Sequence, residues 1–480
     1  MRQVFSRYNI VTRMQSHGQP GNILLISCYE LGHQPAGIAM ASGFLRQAGL
    51  HAEAMDVSVE GFDIDKVKRA KFVGVSVPMH TALRLGVRVA AKVREIYPEC
   101  HICFYGLYAT LNADYLLNTI ADSIVGGEFE AVLVELAIAV LSRAPIDIEG
   151  VSTRTKRAGT VLKRLDFTAP DRSALGPLEH YARLEYRGEL RLVGYVEATR
   201  GCLHHCTHCP IPPVYGGRFF AVPAEVVLED IRDLVDSGAR HITFGDPDFL
   251  NGPTHSLRVA RALHEEFPEL TFDFTAKIEH LIKHREVVRQ MGMLGCIFVV
   301  SAVESLSGVV LEHLRKGHKR GDVDRALEIL RDAGIALRPS FVAFTPWTTI
   351  DDYVEMLDWV EVQGLIDNID PVQYGIRLLA PPGSLLISDP DTARWFGSLN
   401  QELFTYVWSH PDSRMDELHG QITRLVERAV EKGEDQTETF YRIRELAGAT
   451  RGDGERLSRA MPIGAPARLK PPRLTEAWFC

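Results

Sequence analysis

The chain is 480 residues long, enough for two or three domains that each bury a core. Its formal net charge of −9 comes from 62 acidic against 53 basic residues spread along the sequence, with no Lys or Arg run to mark a nucleic-acid footprint. No segment holds the roughly 20 apolar residues of a membrane span, and the opening MRQVFSRYNIVTRMQSHGQPGN lacks the apolar centre of a signal peptide, so a cytoplasmic protein without nucleic-acid or membrane partners is expected.

After that polar opening, NILLISCYE (Asn22 to Glu30) is a short β-rich run followed by a Gly and Pro turn and the helical pattern GIAMASGFLRQAGL. HAEAMDV, KFVGVSV, CHICFYG and DSIVGGE are further strand candidates, separated by helical segments such as LRLGVRVAAKVREIY. Strands alternating with helices imply βαβ units, so residues 21–142 are expected to form a Rossmann-like α/β domain with its ligand crevice beyond the carboxyl ends of the strands. Residues 143–188, rich in Pro, Gly, Arg and Asp, read as a linker. LRLVGYVEA, HITFGD, LTFDFTAKI, CIFVVSAVE, ALRPSFVAF and NIDPVQYGIRLL are then six strand candidates separated by helical stretches, which predicts a partial (β/α)6 barrel over residues 189–388 with its catalytic mouth at the carboxyl ends of the strands. Residues 389–450 read as helical, including QELFTYVWSH and MDELHGQITRLVERAVEKG, and 451–480 as a flexible tail ending in Trp478, Phe479 and Cys480.

Of eight cysteines, too few for a disulfide scaffold, three fall together in TRGCLHHCTHCPIP as Cys202, Cys206 and Cys209. They directly follow the first barrel strand, and three thiolates from one short loop satisfy three corners of a metal centre. Spacing alone leaves open a structural zinc site, closed by His204, His205 or His208, and an iron–sulfur cluster with an open corner; the place at the barrel mouth favours the cluster. Cys100 and Cys103 form a CHIC pair within an apolar strand candidate, where a separation of three residues points the two side chains to opposite faces, so they read as plain buried cysteines. Cys28 and Cys296 likewise fall in core strands.

The CxxxCxxC motif after the first strand of a partial β/α barrel resembles the radical SAM superfamily, over about Leu190 to Ser388. The resemblance implies a [4Fe-4S] cluster held by Cys202, Cys206 and Cys209, whose open iron is chelated by S-adenosylmethionine (SAM), with one-electron cleavage of a carbon–sulfur bond. It further implies a small-molecule substrate and an electron donor such as flavodoxin or ferredoxin. The family's second-strand motif, which grips the SAM amino group, is replaced here by FGDPDF, making Gly245, Asp246 and Asp248 the equivalents. A carboxylate can accept charge-assisted hydrogen bonds from an ammonium, although Asp-Pro is also a common turn former. FVVSAVES places Ser301 and Glu304 at the end of the fourth strand, where the family contacts the ribose hydroxyls. Lys277 and Glu279 project from the end of the third strand, and Arg338 and Arg377 start or end later strands. An Arg facing the site would pair with the SAM carboxylate; the competing reading of these four is a surface ion pair.

A Rossmann-like domain ahead of such a barrel is similar to the cobalamin-binding group of the superfamily, and CYELGHQPAGIAMASGFLRQAGLHAEAMDVS resembles that domain's opening. A corrinoid would lie against the carboxyl edge of the sheet. The Asp-x-His-x-x-Gly motif that supplies an axial histidine is absent, since Asp56 is followed by VSVEG, while His33 and His80 lie near strand ends. Cobalamin bound without a protein axial ligand and a vestigial domain that shapes the substrate site are both compatible with this pattern. The end AWFC resembles the Cys-selenocysteine tails of some radical SAM proteins, cut after the first cysteine, which leads to the expectation that the gene continues through a selenocysteine codon. A related tail-bearing group transfers the aminocarboxypropyl part of SAM to trivalent arsenic held by tail thiolates, in arsinothricin formation, which would give Cys480 the role of a substrate-holding thiol. A tail that docks without chemistry is the alternative.

The expected function is thus radical SAM group transfer to a small substrate, with arsenic among the candidates. A cobalamin-dependent radical SAM methyltransferase is the first alternative, and a colourless zinc-stabilised binding module the second.

Overall fold

The computed structural model describes residues 21–452 and 470–476. They divide into two compact units between Tyr181 and Ala182.

The first unit is built on a six-stranded sheet of β1 (Ile23–Ser27), β2 (Ala52–Asp56), β3 (Phe72–Ser76), β4 (His101–Tyr105), β5 (Ser123–Val125) and β6 (Val151–Thr153), in the order β2-β1-β3-β4-β5-β6. All neighbours are parallel except β5 and β6. Runs such as ILLIS and FVGVS are buried at every residue, as parallel strands covered on both faces require. The helices Ala36–Gln47 and Glu130–Leu141 close one face through Ile38, Leu45, Leu133 and Leu136, packed with Leu25, Phe72 and Tyr105. The helix His80–Ile96 closes the other so tightly that a Cβ at Gly86 would press on Val75, Val77 and Phe104. The chain leaves β1 toward β2 on one side and returns to β3 on the other, which places the strand switch, and the crevice of such sheets, at the carboxyl ends of β1 and β3.

The stretch read from sequence as a linker is part of this unit as far as Tyr181. It supplies β6, and Leu165, Phe167 and Leu175 pack onto the core. The Asp171 N–H donates to the Ala39 carbonyl (2.8 Å), and the Gln34 side-chain amide donates to the Gly176 carbonyl (2.9 Å). These anchors are single apolar residues without periodicity, so the Pro and Arg composition around them hid a wrap that crosses the helix Ala36–Gln47.

The second unit carries β7 (Arg183–Tyr186), β8 (Glu189–Val196), β9 (Thr199–Gly201), β10 (Phe219–Ala221), β11 (His241–Phe244), β12 (Thr271–Thr275), β13 (Cys296–Glu304), β14 (Ala336–Phe341), the short pair β15 (Leu399–Asn400) and β16 (Thr405–Tyr406), and β17 (Arg473–Leu474). The main sheet runs β14-β13-β12-β11-β8-β7-β17 and curls into a half-barrel; β8 and β11 to β14 are parallel, and β7 and β17 extend the β8 edge in antiparallel fashion. Phe244, Phe249, Phe272, Phe274 and Phe298 are fully buried in its core.

Three expectations shift here. The sixth repeat forms no full strand: Pro371 begins a 3-10 turn, Pro371–Gly375, and a single bridge, Phe344 to Arg377, stands where the strand was expected. QELFTYVWSH makes a turn and the β15–β16 hairpin rather than a helix, with the Arg377 guanidinium stacked 3.5 Å from the Trp408 ring centroid. Within the predicted tail, β17 pairs with β7, whereas Trp478, Phe479 and Cys480 lie outside the described residues. The long helices Ser413–Lys432 and Gln436–Arg451 fall within the region read as helical.

Candidate active site at the mouth of the half-barrel

The three-cysteine loop leaves the carboxyl end of β8 and is closed at its base by the β9–β10 ribbon, which pairs Thr199 with Ala221 and Gly201 with Phe219. Asp246, just past β11, clamps the start of this ribbon. Its carboxylate accepts from the Ala198 N–H (3.0 Å) and from the Thr199 hydroxyl. Burial drives the Asp246 carboxyl up to about 7, with those two donors pulling the other way. Gly201 sits at φ +74°, and a Cβ there would overlap the Arg218 carbonyl oxygen and the Tyr215 ring, so the residue before Cys202 has to be glycine.

Cys202 and Cys206 are buried and Cys209 is partly buried; all three are free thiols. Burial and then the Asp248 and Cys206 charges lift Cys202, and burial first, then Cys206 and Cys202, lifts Cys209 to about 12. Three unlinked sulfurs that destabilise one another as thiolates fit a site that a metal centre neutralises. The loop between them is pinned at Thr207, whose N–H donates to the Leu314 carbonyl (3.1 Å) and whose hydroxyl donates to that of His313 (2.7 Å). The Thr207 carbonyl in turn accepts from the Ser384 hydroxyl (3.0 Å) and the Leu386 N–H (3.2 Å).

Beside the sulfurs, Glu304 meets His208 Nε2 and Lys316 Nζ, each at 3.1 Å from Oε1. Burial pushes the Glu304 carboxyl up, but the Lys316 charge and the His208 contacts outweigh it and hold the group well below the usual carboxylate range. Glu304 has φ +63° at a point where the β13–β14 register shifts, strain that is common where a side chain is held at a site. Lys316, from LRKGHKR, carried no signal in the sequence beyond that of any charged stretch, and only the tertiary fold shows it buried against Glu304.

A second group converges from two loops and the short helix Ile278–Lys283. His204 of the cysteine loop, Asp248 after β11 and His280 after β12 place one ligand atom each within 4.8 Å of the others. Lys277 Nζ is 3.1 Å from His204 Nδ1 and 3.4 Å from Glu279 Oε2. His280 directly follows Glu279 but had nothing in the sequence to distinguish it from a helical surface residue.

The other expected residues are engaged as follows. The Gly245 N–H donates to the Val196 carbonyl (2.8 Å), and a Cβ there would overlap Tyr195. The buried Ser301 hydroxyl donates to the Ala276 carbonyl (2.7 Å). Arg338 donates to Asp370 (2.7 Å) and to the Pro472 carbonyl (3.2 Å), and Arg377 to Asp416 (2.7 Å) and the Trp408 carbonyl (2.8 Å), so neither guanidinium joins the loop residues. In the first unit His33 is buried, with its N–H on the Glu30 carbonyl, and His80 begins its helix with its ring edge-on to Tyr108. Cys100 and Cys103 are fully buried, and burial pushes both thiols up to about 12.

Residues 196–360 match the sequence model of the Radical SAM superfamily. Over 325 residues the chain is 25% identical to a hopanoid C-3 methylase of Methylococcus capsulatus, covering 65% of this chain and 62% of that protein. It is 29% identical over 232 residues to a tRNA-2-methylthio-N(6)-dimethylallyladenosine synthase of Chlorobium limicola, covering 46% and 49%. The chain thus spans less than two thirds of either relative. Among solved structures, the cobalamin-dependent SAM radical enzyme OxsB with aqua-cobalamin bound superposes with a TM-score of 0.68 over 85% of this chain and 67% of that one, at 16% identity. The radical SAM methyltransferase TsrM of Kitasatospora setae, with tryptophan and a SAM analogue bound, gives 0.59 over 72% and 71%, at 17% identity. These two share the fold. Residues 196–360 are a radical SAM domain, the type of domain that holds a [4Fe-4S] cluster and S-adenosylmethionine.

Proposed function

We propose that the protein is a cobalamin-dependent radical SAM methyltransferase that acts on a small molecule. The observation that carries this is the pairing within one chain of an open parallel sheet, switching at β1 and β3, with a half-barrel whose first loop presents Cys202, Cys206 and Cys209. The named relatives that transfer methyl or methylthio groups support the same class.

A cluster on the three cysteines supplies the one-electron cleavage of a SAM carbon–sulfur bond, and a corrinoid supplies a methyl carrier. The chain's own part is placement. Asp246 and Thr207 fix the loop that carries the sulfurs, and Lys316 and His208 fix Glu304 beside them. Glu304 and Lys277 are charged groups at that mouth which would meet the SAM ammonium and carboxylate.

The first unit fits a corrinoid at its carboxyl edge. Ser27 Oγ, at the end of β1, and Thr110 Oγ1, after β4, are buried polar atoms to which no group among the described residues is hydrogen-bonded. Residues 57–63 after β2 contain no histidine, and the Asp56 carboxylate turns back onto Ser58, accepting from its N–H (3.1 Å) and hydroxyl (2.6 Å). A corrinoid here would therefore be held without a histidine from that loop.

Aminocarboxypropyl transfer to arsenic rested on Cys480, which lies outside the described residues, and the relatives named above lend it no support. The experiment is anaerobic expression in cobalamin-supplied cells, reconstitution with iron and sulfide, and reaction with SAM labelled in its methyl group under a strong reductant. Retained corrinoid absorption together with label leaving SAM supports the proposal. A corrinoid-free protein that yields 5′-methylthioadenosine returns the chemistry to aminocarboxypropyl transfer, and Cys206→Ala should lose cluster and SAM cleavage together.

A further inference from the structure

We propose that His204, Asp248 and His280 form a second metal site, for a single divalent first-row ion such as zinc, beside the three-cysteine loop. The three residues come from the segments after β8, β11 and β12, consecutive strands of the half-barrel, His280 from the short helix Ile278–Lys283, so the site is assembled by the fold and not by any local motif. His204 Nε2 stands 3.1 Å from His280 Nε2, and Asp248 Oδ2 stands 2.8 Å from His280 Nδ1 and 3.9 Å from His204 Nε2.

The carboxylate points to a ligand independently of that proximity. Asp248 is fully buried, and its two oxygens do different things. Oδ1 accepts from the Leu250 N–H at 3.0 Å and caps the short turn Phe249–Asn251. Among the described residues Oδ2 has no closer partner than Nδ1 of the buried His280, an ion-pair contact at 2.8 Å that lies outside hydrogen-bond alignment. A buried carboxylate oxygen whose nearest partner is one poorly aligned imidazole has room for a further partner, and a cation held by both groups would supply it. Two imidazoles and one carboxylate are borderline donors suited to zinc or ferrous iron and ill suited to magnesium or calcium.

Lys277 is compatible with this use. Its ammonium now donates toward His204 Nδ1, which leaves the His204 proton on Nε2, facing His280. Loading the ion moves that proton to Nδ1, and Lys277 turns to Glu279, already 3.4 Å away. The inference concerns these side chains alone and does not rest on corrinoid binding or on the reaction catalysed.

The test is zinc uptake by the full-length, cluster-reconstituted protein dialysed against micromolar free zinc, with metal analysis and X-ray absorption at the zinc edge. Expected is one zinc per chain above the cluster iron, with nitrogen and oxygen neighbours at about 2.0–2.2 Å and no sulfur shell. Asp248→Asn and His280→Gln should each weaken uptake at least about tenfold at unchanged iron and sulfide content, which also reports that the variants fold. A Cys202→Ser/Cys206→Ser/Cys209→Ser variant should still take up zinc in the same nitrogen and oxygen environment. No zinc retained, a sulfur shell, or uptake that follows the cysteines and not Asp248 overturns the proposal, leaving these groups as a hydrogen-bonded chain.

Discussion

Lys316→Met should destabilise the second unit, because it takes the ammonium from a nearly buried carboxylate. Lys316 is 3% exposed and Glu304 7%, with Nζ 3.1 Å from Oε1. At an effective dielectric of about 20, charges at that distance attract by about 5 kcal/mol before desolvation is subtracted. Removing one partner of a buried pair typically costs about 3–5 kcal/mol. Because His208 still faces Glu304, the lower end applies, and about 3 kcal/mol corresponds to a melting temperature lower by about 5 °C in a unit of this size.

The pH dependence has a definite sign. Glu304 has a lowered folded pKa, so its contribution is present above the unfolded value of about 4.3 and is lost as pH falls below it. Against burial, the charges of Glu304 and the neighbouring cysteines hold Lys316 above its ordinary value, so its contribution is present below about 10.4 and is lost as pH rises beyond that. The gap between wild type and variant should therefore be flat from about pH 5 to 9 and shrink toward pH 3. The assay is thermal unfolding by circular dichroism of cluster-free protein across that range. Glu304→Gln/Lys316→Met should regain most of the loss, since the stranded charge is gone. A single variant that melts within 2 °C of wild type at every pH, or a double variant no better than the single, would refute the argument.

Three further outcomes are expected. Gly201→Ala puts a methyl against the Arg218 carbonyl at a left-handed position, and should cost at least about 1–2 kcal/mol and lower the iron bound after reconstitution, read by metal analysis. Thr199→Val leaves the buried Asp246 carboxylate with one donor fewer; thermal unfolding should show a loss of about 1–3 kcal/mol, and none at all would mean the clamp is incidental. Cys100 and Cys103, held near pKa 12 by burial, should resist alkylation at pH 8.5 in the folded protein and react on denaturation; rapid labelling of the native chain would contradict their placement.

Much of this protein was legible in its sequence because local pattern carried it. The buried runs ILLIS, FVGVS and HICFY alternate with helices, and that alternation alone gives β1 to β5 of a parallel sheet. The spacing of Cys202, Cys206 and Cys209 after LRLVGYVEA marked the loop that the fold holds at the end of β8. Composition misled where single residues do the anchoring: Leu165 and Phe167 tie down a Pro- and Arg-rich wrap, and Pro371 breaks a repeat that apolar content suggested was a strand.

What tertiary structure alone decided is the surroundings of the cysteines. Lys316 and Glu304 lie twelve residues apart, Asp246 and Thr199 forty-seven, and His204 and His280 seventy-six; no period or motif links them. They meet because parallel strands deliver successive loops to the same end of the sheet, so distant residues become neighbours there. Periodicity in a sequence encodes which face of an element is buried, whereas the partner of each buried charge is set by strand order.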